Sequence, residues 1–152
     1  MATYLVPTAE SLNAMLGMIV GDAMQATADD AAASLAASHA AVFENADKQV
    51  VALCRCDISA AAALGSALSM IPPNVAADMS KSGSLNDMAT DNLYEVMNMF
   101  SSLFMDDKSA HLKLTQVVPA TDAPTIEGET SVASFTIPPG KYPGGALNFS
   151  TL

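Results

Sequence analysis

Between positions 91 and 105 the apolar residues recur every three or four places: Leu93, Val96, Met97, Phe100, Leu103 and Phe104. At about 100° per residue they fall on one side of a helix. Asp91, Glu95, Asn98 and Ser102 fall on the opposite side, within an arc of roughly 60°. Burying six large apolar side chains is worth roughly 10–15 kcal/mol gross, before the entropy of ordering the chain is subtracted. The pattern predicts a helix fixed on a sheet, with two carboxylates, a carboxamide and a hydroxyl held outward in single file. Taken alone, such a file is the ordinary solvated face of a helix.

The rest of the chain reads in the same terms. A first helix is predicted over 7–24, where Leu12, Met15, Leu16, Ile19 and Val20 form an apolar face. Pro7 suits its first turn and Thr8 can cap it. The alanine-rich stretch 26–37 fits helix or loop, because Asp29, Asp30 and Ser34 oppose the propensity of Ala. Residues 39–44 and 49–55 read as a hairpin turning at 45–48. Asp57 or Ser59 can cap a helix over 59–71, stopped by Pro72 and Pro73. A loop is predicted through Ser84, and Ser84 with Asp87 resembles a capping box opening the next helix. Strands are predicted over 111–118, 132–137 and 146–152. Between them lie a loop at 120–130 and a Pro- and Gly-rich turn at 138–145. No glycine-rich phosphate loop follows a strand and no βαβ alternation appears. The order predicts an α+β fold, with helices packed on one face of a mainly antiparallel sheet.

At 152 residues, 51% hydrophobic and 14% charged, the chain is long and apolar enough for one domain spanning 1–152 with a real core. Its formal net charge is −10. The cations Lys48, Arg55, Lys81, Lys108, Lys113 and Lys141 are scattered, so no basic stripe tracks nucleic-acid phosphates and an anionic membrane is a poor partner. No positive charge precedes Lys48, which argues against a secretory signal. The apolar run from Leu12 to Val20 contains Asn13, is bounded by Glu10 and Asp22, and is too short to span a bilayer. A cytoplasmic protein without membrane insertion is expected. Cys54 and Cys56 share one face of a strand and read as buried free thiols, not a redox or metal pair. His39 and His111 stand isolated, so no metal site is expected. Ser101 and Cys54 lack a patterned His, which argues against a nucleophilic small-molecule enzyme.

The spacing Asp91-x3-Glu95-x2-Asn98-x20-Pro119 resembles the signature of the CheC, CheX and FliY phosphatases of bacterial chemotaxis. In that family an Asp or Ser, a Glu and an Asn share one helix, and a Pro follows about twenty residues later. The order of hairpin, capped helix, linker, E-x-x-N helix and closing strands is similar to CheX over nearly the whole chain. CheC carries two such sites; CheX carries one and forms a dimer. Glu10 and Asn13 also spell E-x-x-N, but Val6 stands where the Asp or Ser belongs. They are read as ordinary exposed polar residues, and the chain as single-site and CheX-like. Ser102 stands where the family commonly has Gly, and Phe100 and Phe104 make that segment bulkier.

The resemblance implies hydrolysis of the phospho-aspartate of a CheY-like response regulator. That partner holds Mg²⁺, so this chain needs no cofactor of its own. Asn98 would orient the attacking water and Glu95 would pair with the regulator's active-site lysine, making these the catalytic residues. Asp91 and Ser102 would extend the polar contact, and Pro119 would shape the adjoining loop. Kinship to CheX also allows a homodimer. Tyr94 and Met99 flank the file, either as the apolar part of a contact or as partly buried residues at the helix edge. Many response regulators are acidic too, so docking is expected to rest on close contacts and to resist modest salt. The alternative is a non-enzymatic module of the same fold that docks a regulator or a flagellar or signalling partner.

Overall fold

A computed structural model describes residues 4–21, 24–129 and 131–152. The described elements are α1 (Ala9–Val20), β1 (Thr27–Ala28), β2 (His39–Glu44), β3 (Val50–Cys56), α2 (Ile58–Ala67), α3 (Pro73–Ser82), α4 (Asp87–Phe100), β4 (Lys113–Pro119), β5 (Ser131–Ile137) and β6 (Gly145–Thr151). The six strands form one sheet in the order β1-β5-β6-β3-β2-β4, antiparallel at every pairing. The four helices pack on it, as the α+β reading expects. The hairpin of β2 and β3 turns at Asn45, whose carboxamide oxygen accepts from the N–H groups of Asp47 and Gln49.

Phe43, Phe135 and Phe149 rise from the sheet into the core, where Phe43 meets Phe104, Phe149 meets both Phe100 and Phe104, and Phe135 packs on Phe149. Phe43 and Phe104 lie 5.1 Å apart between ring centres, a tilted pair. The bulk of Phe100 and Phe104 is thus spent inside the molecule and leaves the outer face of α4 uncrowded. The opposite side of the sheet carries a smaller apolar cluster of Val42, Leu53 and Ile126.

Helix α2 is sandwiched so tightly that Ala60 through Ala67 are all buried. A side chain at Gly65 would meet the Ala89 carbonyl oxygen of α4 at 2.5 Å, so the two helix backbones nearly touch.

Several boundaries and one whole element differ from the sequence reading. Residues 73–82, expected as loop, form α3. Pro73 starts this helix, where a missing N–H costs nothing, and Gly83 ends it in the left-handed region at φ 78°. Only Ala76 and Met79 are buried along it, so its apolar stripe is faint. The cap of α4 is Asn86, whose side chain accepts from Ala89 N at 2.8 Å, and not the Ser84–Asp87 box. Thr8 does cap α1, in a reciprocal box with Ser11, and Pro7 lies just outside. Helix α1 ends at Val20; Asp22 and position 23 of its expected span lie outside the described residues. Asp57 is the cap of α2, which stops at Ala67, short of 71. The stretch 26–37 holds the two-residue β1 and a 3₁₀ turn, Asp30–Ser34, capped by Asp29. Helix α4 tightens after Phe100 into a 3₁₀ turn, Ser101–Phe104, and β4 begins at Lys113 instead of His111.

One irregularity positions the site. Strand β4 gains a residue on β2 at Thr115, since Val42 pairs with Gln116 and Phe43 with Leu114. The Thr115 hydroxyl donates to the Val42 carbonyl at 3.1 Å and holds the bulge. A one-residue shift moves every later side chain to the other face of the sheet. It puts Val117 against the helix-side core and pairs Pro119 with His39.

Candidate functional site

Helix α4 is sealed along one side, with Leu93 only 1% exposed and Val96, Met97 and Phe100 fully buried. Leu103 and Phe104 continue that burial through the 3₁₀ turn. Its rotation is pinned by Asn92, whose amide donates to the Gly65 carbonyl at 2.8 Å and to Ser69 Oγ at 2.6 Å. The outward side is what remains. Asp91, Glu95, Asn98 and Ser102 are all exposed. Glu95 and Asn98 are i and i+3, about 4.5 Å apart along the axis and neighbours on the surface. Among the described residues neither side chain makes a hydrogen bond within the chain. Both polar heads are free for a second molecule. Ser102 differs: its hydroxyl donates to the Met99 carbonyl at 3.0 Å.

The file runs between two grooves, each of about 360 Å³. Toward the start of α4, Asp91 and Tyr94 face Val117 and Pro119 of β4, with His39 of β2 at the end. Toward its end, Asn98, Met99 and Ser102 face Met15, Met18 and Ile19 of α1. Glu95, exposed between Asp91 and Asn98 in the file, lines neither groove. Tyr94 and Met99 are 40% and 43% exposed, so each presents apolar surface beside the polar file while part of it is buried at the helix edge.

Two contributors escape sequence reasoning. His39 reads as isolated along the chain, and only its pairing with Pro119 brings it to α4. Its ring Nδ1 lies 2.8 Å from Ser38 Oγ, and burial holds its pKa below the ordinary 6.5. Met18, 82% exposed, carries an apolar side chain on the outside of an apolar-faced helix. That excess is a signal the sequence offers, but the groove it borders is not.

The second E-x-x-N resolves differently. Glu10 is exposed, but the Asn13 carboxamide is spent on the chain itself. Asn13 Oδ1 accepts from Ala26 N at 2.6 Å and Nδ2 donates to Ala26 O at 2.9 Å. Asn13 is a latch between α1 and the segment leading to β1, and the expectation of an ordinary exposed residue is corrected. Among the described residues no three of His, Cys, Asp and Glu converge as metal ligands. No helix among them is long and apolar enough to cross a membrane.

The architecture defines a class of fold before any particular relative. No family model matches the chain, and no curated protein matches it by sequence. Solved structures match it by shape. A chain of the FliM–SpeE complex from H. pylori superposes with a TM-score of 0.61 at 11% identity, over 94% of this chain and 80% of that one. The FliM middle domain from H. pylori gives 0.58 at 12%, over 94% and 84%. FliY from Thermotoga maritima gives 0.50 at 14%, over 91% and 81%. The chain has the CheC-like fold seen in FliM and FliY; at such identities the likeness is one of fold.

Proposed function

We propose that this chain is a cytoplasmic, chemotaxis-type protein phosphatase that hydrolyses the phospho-aspartate of a CheY-like response regulator. The observation that carries the reading is the pair Glu95 and Asn98, adjacent, exposed and unbonded within the chain, on a helix whose other side is buried. A rigid helix aims such a pair without ordering it again at each encounter. The Asn98 carboxamide accepts a hydrogen bond from water, donates another to a phosphoryl oxygen, and never changes charge. Water oriented in line attacks phosphorus, the acyl oxygen–phosphorus bond breaks, and inorganic phosphate and a free aspartate leave. Glu95 pairs with the regulator's active-site lysine and sets Asn98 over the phosphorus. The Mg²⁺ of the reaction is the regulator's own. Asp91 and Ser102 lengthen the polar contact, Tyr94 and Met99 supply its apolar flanks, and Pro119 closes the loop beside them.

Docking without hydrolysis is the second reading. It is favoured by the FliM structures among those of like fold, one of them a complex with another protein, SpeE. Release of inorganic phosphate from a phosphorylated regulator, with and without the protein, separates the two. Faster release supports the phosphatase; stable binding at an unchanged rate supports the docking module.

A further inference from the structure

The groove at the start of α4 has a chemistry of its own. Leu93 of α4 and Val117 of β4 give it an apolar floor, Asp91, Tyr94 and Pro119 stand exposed around it, and the half-buried His39 imidazole lies at one end. None of the six Lys and Arg residues lines it. Among the described residues Asp91 makes no ion pair or side-chain hydrogen bond, so its charge is uncompensated inside the chain. A wholly apolar ligand would strip water from that carboxylate without replacing it. An anionic ligand would meet it head-on, on a chain already at −10.

We propose that this groove receives an arginine side chain of the docked protein partner, its hydrocarbon stem along Leu93, Val117 and Pro119 and its guanidinium between Asp91 and the Tyr94 ring. A long side chain with an apolar stem and a cationic head fits such a floor and rim. The planar guanidinium both pairs with a carboxylate and lies over an aromatic face, which an ammonium does less well. The inference rests on α4 being the partner-facing helix, and not on hydrolysis. Asp91 lines this groove, whereas Glu95, four residues and about 6 Å further along the helix, does not. The arginine is therefore a separate contact from the lysine that Glu95 pairs with. It acts as a selector for which regulator docks.

The test uses the full chain and small probes. Nα-acetyl-arginine amide is titrated into ¹⁵N-labelled protein, with the lysine, norleucine and glutamate amides in parallel. The expected result is saturable shifts confined to the segments around Thr90–Tyr94 and Val117–Pro119, with arginine binding more tightly than lysine. Asp91→Asn should weaken arginine about fivefold, the size of an exposed ion pair of good geometry, and leave the rest of the spectrum unmoved. Equal binding of norleucine, equal binding of glutamate, or shifts elsewhere on the surface would overturn the proposal. Because no probe carries phosphate, a failed phosphatase assay leaves this result standing, and the reverse also holds.

Discussion

Asn92 of α4 reaches across to α2 and donates its amide to the Gly65 carbonyl at 2.8 Å, at the point where Gly65 leaves no room for a side chain. Together with the buried face of Leu93, Val96, Met97 and Phe100, this contact sets how α4 is turned and leaves Glu95 and Asn98 outward. Gly65→Ala should force the helices apart and destabilise the fold by about 1–3 kcal/mol, the usual range for overpacking. Asn92→Ala should cost about 1–2 kcal/mol by loss of its two hydrogen bonds, to the Gly65 carbonyl and to Ser69 Oγ. Urea unfolding midpoints of the two variants measure both effects.

Asn13 predicts an opposite pattern to Asn98, although both end an E-x-x-N. Asn13→Ala orphans the N–H and carbonyl of the buried Ala26, which should lower stability by about 1–2 kcal/mol. Regulator binding and phosphate release at 25 °C should not change. Paired urea and binding measurements on this variant separate a structural latch from a second site.

The two cysteines carry a pH signature. Burial, helped by the neighbouring Asp57 carboxylate, pushes the Cys56 thiol from an ordinary 9.0 up to about 12, and burial also raises Cys54 well above 9.0. The folded chain then holds these protons more tightly than the unfolded chain. Their contribution to stability is fully present below pH 9.0 and is lost as pH rises toward about 12. Stability measured by denaturant across that window should fall, and Cys56→Ala should flatten the fall. Thiol reagents at pH 8 should label neither cysteine until denaturant is added.

Some of this was written plainly in the chain and some was not. The six apolar residues from Leu93 to Phe104 repeat strongly enough that helix and buried face follow from spacing, and all six are buried. Helix α3 was hidden because Pro72 and Pro73 read as a stop, whereas Pro73 is also a good first helical residue, and only Ala76 and Met79 pack inward. The site's second wall was hidden for another reason. That Pro119 lies beside Asp91 depends on the extra residue at Thr115, and that His39 joins it depends on β4 pairing with β2. Strand order and bulges arise from contacts between distant segments, which no local periodicity records.

The most direct test of the polar file is phosphate release from a phosphorylated CheY-like regulator under single-turnover conditions, with affinity measured alongside. The rate at saturation should fall about 10²-fold for Asn98→Ala, on the order of 3 kcal/mol, with affinity nearly unchanged, as expected when one preorganised group is lost. Glu95→Ala should weaken affinity and rate together, and neither variant should alter the urea midpoint. Full release by both variants on the regulator that the wild-type chain acts on would contradict the account.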